Sequence, residues 1–467
     1  MRRLFRTKCI VKALDNASQN SLKKTLGAFD LVLLGIGCTI GTGIFVLTGI
    51  GAAKYAGPAI SLSYLLAGVV CMLSALAYAE LASMVPVSGS AYTYSYIILG
   101  EFIAWLVGWG LVLEYTVGAS TVAAGWSGYM VGILETGGVH LPEYLTKVPS
   151  QGGIINLPAV LISLFIGFLL FRGTKESVTL NRILVAVKLG AVFLFLIVAV
   201  PHIKTENLIN FLPFGWHGVA VGAATIFFAY VGFDAVATTA EECKNPKRDL
   251  PIGIIVSLII CTILYIAVSL FLTGITHYTK LDTPEPLALA LRLNGNNIGS
   301  ALVAVGAITG ITSVLLVLMY GQSRVSFAMS RDGLIPSCFS KIHQKLGTPY
   351  ISTLMVGGAV AVISGLTPIH TLGHMTSLGT LFAFMVVSIS VFVLRFTKPE
   401  LTRHFKCPMV FIITPLSVLS CGYLIFTLLA ETGMPFLIWS ILGLILYFSY
   451  SLKNSPLHKE DQEINVA

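Results

Sequence analysis

Long apolar segments joined by short polar connections run along the chain from about residue 30 to about residue 452. A helix needs about 20 residues to cross the hydrocarbon core of a membrane, and most of these segments reach that length. The pattern therefore predicts an all-α membrane protein with twelve transmembrane helices. Their approximate bounds are residues 30–53, 57–84, 101–133, 154–171, 181–200, 218–240, 251–273, 299–323, 350–366, 371–394, 410–430 and 434–452.

The first apolar segment contains a glycine-rich stretch that disfavours a continuous helix. Residues 35–49 read GIGCTIGTGIFVLTG, and each glycine inside a helix costs roughly 1 kcal/mol relative to alanine. We expect the helix to break at Gly41, Thr42 and Gly43, since irregular backbone is tolerated at membrane depth where it lines a cavity. Free amides and the positive dipole end of the following half-helix would bind an anion such as a carboxylate. The break therefore predicts a substrate site.

A second interruption is predicted in the sixth apolar segment. Residues 222–242 read GAATIFFAYVGFDAVATTAEE, and the stretch from Ala229 to Gly232 interrupts the helix two residues before Asp234. Two broken helices five spans apart are typical of an inverted repeat of five plus five helices, in which the breaks face each other near the membrane midplane. The alternative is a pair of continuous glycine-rich helices that pack closely through small residues.

The repeat divides the chain into five parts. Residues 29–200 form the first inverted repeat with helices 1 to 5, and residues 218–394 form the second with helices 6 to 10. Residues 410–452 form helices 11 and 12, while residues 1–28 and 453–467 are terminal segments.

Composition and charge agree with a membrane protein. Hydrophobic residues make up 55% of the chain and charged residues 11%, whereas soluble domains carry about 25% charged residues. The net charge of +8 does not indicate a nucleic-acid partner, because most of the 29 Lys and Arg residues lie in the termini and in alternate connections. This asymmetry predicts a multi-pass protein of the plasma membrane with cytoplasmic N- and C-termini. The connection over residues 85–100 lacks Lys and Arg and is expected to be an interfacial helix, a gate segment or a structural connection.

The chain shows no sign of enzymatic chemistry. Its eight cysteines have no CxxC or His-rich spacing, so we expect no metal site and no cofactor. It also lacks HExxH, GxSxG and other assembled catalytic motifs, so no catalytic residues are expected.

Three ionisable residues fall inside predicted spans, where charges are costly and usually functional: Glu114, Lys188 and Asp234. Two carboxyl groups and one ammonium inside a helix bundle form a candidate proton relay. The alternatives are a static Glu114–Lys188 pair that fixes helix packing, a Lys188 that extends to the interface, and an Asp234 that caps the adjoining half-helix.

Several motifs taken together resemble the cationic amino acid transporter family, in its bacterial form, within the amino acid–polyamine–organocation superfamily. The resemblance extends from about Leu26 to about Ser451, and it rests on the motifs GIGCTIGTGIFVLTG, PVSGSAYTYSY, FFAYVGFDAVATTAEE, KNPKRDLPIGI and SRDGLIP. It implies the leucine-transporter fold, with broken helices 1 and 6 in a 5+5 inverted repeat. It also implies amino acid transport by alternating access.

The resemblance also implies roles for individual residues. The substrate carboxylate would lie on the amides around Thr42, Gly43 and Ile44. The α-ammonium would bind backbone carbonyls at the unwound C-terminal ends of the broken helices, because these ends carry partial negative charge. The carbonyls are those of Ile40, Phe228, Ala229 and Val231.

Further residues are assigned to proton coupling and gating. The resemblance implies that Lys188 stands where sodium-coupled relatives hold a sodium ion, with Glu114 near it and Asp234 as the acid of the sixth helix. Phe228 and Tyr230 are candidate gates, because an aromatic side chain beside a break can close over a substrate.

These features predict a proton-coupled importer or exchanger of amino acids. The resemblance implies that Met319 matches a helix-8 methionine of bacterial family members that resemble transporters of smaller neutral amino acids. A methionine there would fill the space that a long cationic side chain needs, which favours small neutral L-amino acids such as alanine; Met319 could equally be an ordinary packing residue. The alternative substrates are cationic amino acids or polyamines. The alternative class is an amino acid sensor without transport, which the lack of a sizeable extramembrane domain disfavours. Expected partners are the amino acid, protons and the lipid bilayer, and a small single-span membrane subunit is a further candidate.

Overall fold

The computed structural model describes residues 6–8, 24–86, 90–173, 178–343 and 348–455. Within these ranges the chain is helical and contains no β-strand; a single bridge pairs Leu26 with Cys243. Most of the predicted terminal segments, 1–28 and 453–467, lie outside the described residues.

The described residues of the first half of the chain contain seven α-helices. They are α1 (Ala28–Thr39), α2 (Thr48–Gly51), α3 (Ile60–Met84), α4 (Ser90–Ile98), α5 (Glu101–Thr136), α6 (Leu157–Arg172) and α7 (Val178–Ala199). Helix α2 is short because it lies between two π-helical turns, Gly43–Leu47 and Ala52–Ala56.

The second half contains nine more within the ranges that the structure describes. They are α8 (Gly215–Ile226), α9 (Ala235–Thr238), α10 (Pro246–Ile275), α11 (Pro286–Leu293), α12 (Asn297–Arg331), α13 (Tyr350–Leu366), α14 (Ile369–Thr397), α15 (Val410–Leu446) and α16 (Leu452–Asn454).

Nine helical segments among the described residues are long and apolar enough to cross a membrane. Three shorter apolar helices accompany them, namely α1, α6 and α13. The prediction of an all-helical protein with multiple membrane spans is confirmed. One boundary differs from the prediction: backbone between the last two predicted spans is helical, since α15 continues from Val410 to Leu446 with Pro415 and Pro435 inside it.

The connection predicted over residues 85–100 folds into α4, which is buried rather than exposed. Tyr92, Tyr94 and Tyr96 are all buried, and α4 packs against α5 and α14. Residues 87–89 of this connection lie outside the described residues.

The helices around the first break pack closely because small residues face one another. Helix α10 lies against α1 and α3, and α5 lies against α12 and α14. At Gly35 of α1, an added Cβ would lie closer than 3.0 Å to the side chain of Ser257 on α10. This close approach holds the end of α1 in the middle of the bundle, where the candidate site lies.

Candidate functional site

The first predicted span is interrupted between α1 and the π-helical turn that follows. Helix α1 ends at Thr39, and Ile40 has extended backbone angles of φ −76° and ψ 103°. The chain becomes helical again at Thr42 and Gly43. The first amides of this new segment have no carbonyl one turn earlier in their own helix, so they are free to bind an acceptor.

The sixth predicted span is interrupted in a similar way. Helix α8 ends at Ile226 and passes into a 3₁₀ turn, Phe227–Tyr230, after which Val231 is extended. Gly232 has φ +116°, a conformation that residues with a side chain rarely adopt. Its amide donates to Oδ1 of Asp234 at 3.2 Å, just before α9 begins.

The two interruptions are in direct contact. A Cβ added at Gly43 would lie closer than 3.0 Å to both Cα and Cβ of Ala229. A Cβ at Gly232 would lie 2.8 Å from the carbonyl oxygen of Cys38. Glycine at both positions therefore allows the backbone of one break to touch the other, and no larger residue fits without a shift.

A tyrosine of α10 ties the two breaks together. The hydroxyl of Tyr265 lies 2.9 Å from the carbonyl oxygen of Thr39 and 2.8 Å from that of Ala229, so its single proton is shared between the two acceptors. Next to it, the hydroxyl of Tyr230 donates to the carbonyl of Tyr64 at 2.8 Å. The three tyrosine rings form one buried cluster. Carbonyls that lose their helical partners at the breaks thus gain side-chain donors.

A small cavity of about 10 Å³ lies between the breaks. This volume holds about one water molecule, so the structure is closed around the site and an amino acid requires it to open. One side of the cavity is largely polar backbone and small side chains, and the other is apolar. The lining residues are Cys38, Thr39, Gly41, Thr42, Gly43, Phe228, Val231, Val314 and Leu318.

Lys188 of α7 is buried and points its ammonium at the end of α1. Its Nζ donates to the carbonyl of Gly37 at 2.6 Å and to that of Ile40 at 3.2 Å. A helix C-terminus carries partial negative charge, so these carbonyls stabilise the cation. The Ile40 carbonyl, expected to meet a substrate ammonium, therefore already has one donor and keeps one lone pair.

Glu114 of α5 and Asp234 lie in a second buried group. Both are 1% exposed and close enough to interact electrostatically. Neither oxygen of Glu114 accepts a hydrogen bond of good geometry from the described residues, nor does Oδ2 of Asp234. The hydroxyls of Thr380 and Tyr115 lie beside the two carboxyl groups. Glu114 and Asp234 thus interact electrostatically within one buried group, while Lys188 contacts the first break.

The structure gathers some of the predicted substrate residues and leaves others aside. Thr42, Gly43, Phe228 and Val231 line the cavity, and the next residue of the first break, Ile44, is buried. Met319 is buried. A Cβ added at Gly167 of α6 would lie 3.6 Å from the terminal methyl of Met319, and a Cβ added at Gly357 of α13 would lie 3.9 Å from it.

Other residues of the site were not identified from the sequence. Val314 and Leu318 of α12 are four residues apart and so project from one face of the helix into the cavity. His374 of α14 is also buried, with Nε2 3.0 Å from the hydroxyl of Thr225 on α8. The signal for Val314 and Leu318 was weak, since apolar residues at helical spacing also occur on lipid-facing surfaces. A histidine within an apolar segment, as at position 374, is a clearer signal of a functional or buried polar residue.

Comparison with known proteins shows relatives over nearly the whole chain. The chain is 46% identical over 461 residues to the methylthioribose transporter of Bacillus subtilis strain 168, covering 98% of this chain and 100% of the relative. It is 47% identical over 462 residues to a branched-chain amino acid permease of the same organism, covering 98% and 99%. It is 40% identical over 400 residues to the vacuolar cationic amino acid transporter 4 of Arabidopsis thaliana, covering 84% and 66%.

The family assignment follows from a match to the whole membrane region. The family model described as amino acid permease matches residues 26–450, which include both helix breaks and every helix from α1 to α15. The predicted resemblance to bacterial relatives of the cationic amino acid transporters is confirmed by these matches. The chain belongs to the amino acid permease family.

Proposed function

We propose that this protein is a proton-coupled secondary transporter that carries neutral amino acids with small or medium apolar side chains across the plasma membrane by alternating access. The contact between Gly43 and Ala229 is the observation that carries the proposal. It joins two helix breaks around a buried cavity, with free amides on one side and apolar side chains on the other. An amino acid has both kinds of group.

The charged ends of the substrate fit the polar side of the cavity. Its carboxylate would accept hydrogen bonds from the amides of Thr42, Gly43 and Ile44, where a new helical segment begins. Its ammonium would meet carbonyls at the end of the sixth-span break, namely Phe228 and Val231, and the remaining lone pairs of Ile40 and Ala229. The side chain would then point toward Val314 and Leu318.

Proton coupling is proposed from the buried charges near the breaks. Two buried carboxyl groups that interact electrostatically repel each other when both are charged. Among the described residues Glu114 and Asp234 form such a group, so they are the proposed carriers of the coupled proton. Lys188 holds the carbonyls that end α1, so a change in its charge would weaken those bonds and release the break. Movement of the break would link proton transfer to opening of the cavity.

The twelve-helix inverted repeat is part of this proposal. Among the described residues, twelve spans result when α1 and residues 43–56 are joined as one broken span, α3 is counted separately from them, and α6 and α13 are included. The broken spans then open the two predicted repeats, residues 29–200 and 218–394, and helices 11 and 12 follow in residues 410–452. Cytoplasmic termini are proposed from the distribution of Lys and Arg.

Methylthioribose is a second candidate substrate, because a transporter with that name is 46% identical to this chain. It carries neither a carboxylate nor an ammonium, so it would leave the amides of the first break without an anion. Cationic amino acids and polyamines remain alternatives in the same class, and an amino acid sensor is the alternative in another class. Transport assays separate all of them.

The test is uptake into proteoliposomes that contain the purified protein. Radiolabelled alanine, leucine, arginine, putrescine and methylthioribose are compared with and without an inward proton gradient, in the absence of sodium. We expect uptake of alanine and leucine that follows the gradient and falls at least tenfold in Lys188→Ala. Lys204→Ala is the matched control, since Lys204 is exposed and lies in a connection between spans.

Other outcomes would each overturn part of the proposal. Neutral amino acid uptake that ignores the proton gradient would remove the coupling. Uptake of arginine, putrescine or methylthioribose alone would show that the proposed substrate class is wrong and would identify the substrate instead. Binding of an amino acid without uptake under any gradient would indicate a sensor.

A further inference from the structure

We propose that Gly118 sets the upper size limit of the substrate side chain, in a subsite that takes aliphatic amino acids. The inference rests on the proposed function. Gly118 lies near the middle of α5, on the far side of the cavity wall from the helix breaks.

Three side chains from three elements surround Gly118. A Cβ at this position would lie 3.2 Å from Cγ2 of Thr376, 3.5 Å from Cε2 of Phe228 and 3.6 Å from Cδ1 of Leu318. Phe228 and Leu318 both line the cavity. The glycine therefore leaves a space of roughly one methyl group directly behind the two movable side chains of the cavity wall.

That space matters because the cavity is too small for any amino acid side chain. At about 10 Å³ it can enlarge only if its walls move. The wall at Gly43 and Ala229 is backbone in close contact, and it is further fixed by Tyr265. The wall at Leu318 and Phe228 consists of side chains, which can change their rotamers. When the cavity enlarges, these side chains move toward the space beside Gly118.

The chemistry of the wall defines the substrate class. Val314, Leu318, Phe228 and Val231 are apolar, and the hydroxyl of Thr376 donates to the carbonyl of Leu372 at 2.9 Å within its own helix. A polar substrate side chain would find few partners here and would lose its hydration. An aliphatic side chain gains from burial, and each methylene that fits or clashes changes selectivity about 10- to 200-fold.

The experiment compares leucine with alanine in Gly118→Ala. We expect the ratio of leucine uptake to alanine uptake to fall at least tenfold, because the added methyl blocks the retreat of Leu318 and Phe228. Gly110→Ala is the matched control: it lies two turns earlier on the same helix, and its Cβ would meet only Cδ1 of Phe382, at 3.7 Å. In Gly110→Ala the ratio of leucine uptake to alanine uptake should stay at the wild-type value.

A second variant keeps the test decisive if Gly118→Ala fails to fold. Leu318→Ala enlarges the subsite, so the ratio of phenylalanine uptake to alanine uptake should rise about tenfold. If Gly118 has only a structural role, Gly118→Ala would lower the uptake of leucine and of alanine equally. The ratio of leucine uptake to alanine uptake would then stay unchanged, which would overturn the inference. An unchanged ratio in Leu318→Ala would do the same. If the wild-type protein takes up no amino acid, the proposed function fails and the inference fails with it; if it takes up arginine and not leucine, the aliphatic class is wrong.

Discussion

Replacing Gly43 with alanine would place a methyl group in the contact between the two helix breaks. The new Cβ would lie closer than 3.0 Å to Cα and Cβ of Ala229 and 3.2 Å from its nitrogen. These atoms belong to a backbone segment, so they cannot rotate away as the end of a flexible side chain can. The breaks must separate to accommodate the methyl group.

The expected cost follows from overpacking. Forcing an extra methyl into a closely packed site costs about 1–3 kcal/mol. Since 1.4 kcal/mol corresponds to a factor of ten, the closed state should lose roughly 5- to 140-fold in population. Transport that passes through this closed state should slow by a similar factor.

The assay combines uptake in proteoliposomes with the melting temperature of the purified protein. Gly358→Ala is the control, because Gly358 lies within α13 and an added Cβ there would have no neighbour within 4 Å. Alanine is the better helix former, so the control should melt at the wild-type temperature or above it. Wild-type uptake and melting temperature in Gly43→Ala would refute the claim that the two breaks meet in the working protein.

Two further predictions concern buried polar contacts. Tyr265→Phe removes the hydroxyl that donates to the carbonyls of Thr39 and Ala229; stability should fall by about 1–3 kcal/mol and uptake should slow. Tyr423→Phe, at an exposed tyrosine, should change neither the stability nor the uptake rate. If the two variants lose stability and uptake to the same extent, Tyr265 does not bridge the two breaks. Glu80 is fully buried and accepts from Arg395 at 2.6 Å and from the amide of Cys407 at 2.8 Å. Glu80→Gln should destabilise the protein by about 3 kcal/mol, since a buried pair is left with an unmatched charge. Glu143→Gln, in an exposed pair with Lys147, should leave the melting temperature unchanged; a similar drop in both would argue against the buried network.

The helix breaks could be predicted from the sequence because their cause is local. Glycines at 41, 43 and 232 weaken the helix wherever the chain is placed, and the apolar context of each segment puts the break inside a membrane. The structure places the first interruption slightly earlier than predicted, at Ile40 and Gly41. Boundaries shift in this way because neighbouring helices decide which turn unwinds.

The remaining parts of the site depend on residues far apart in the chain. Tyr265 can bridge the two breaks only because α10 packs against α1, and no local pattern marks that partner. Glu80 lies near the end of an apolar segment, a position that is typical of the membrane interface. It is buried because Arg395 approaches from α14, 315 residues away along the chain. The cavity face of α12 has the same composition as a lipid-facing surface, so Val314 and Leu318 could be found only from the fold.

The most direct test of the central claim is an experimental structure of the protein with leucine bound, determined by electron cryomicroscopy. We expect the leucine carboxylate to lie within hydrogen-bonding distance of the amides of Thr42, Gly43 and Ile44, and the side chain to face Leu318. Leucine bound elsewhere would contradict this expectation. One such place is the larger outer groove, about 300 Å³, lined by residues that include Lys54, Tyr55 and His217. Leucine in the cavity but with its carboxylate turned toward Glu114 would contradict the assigned orientation.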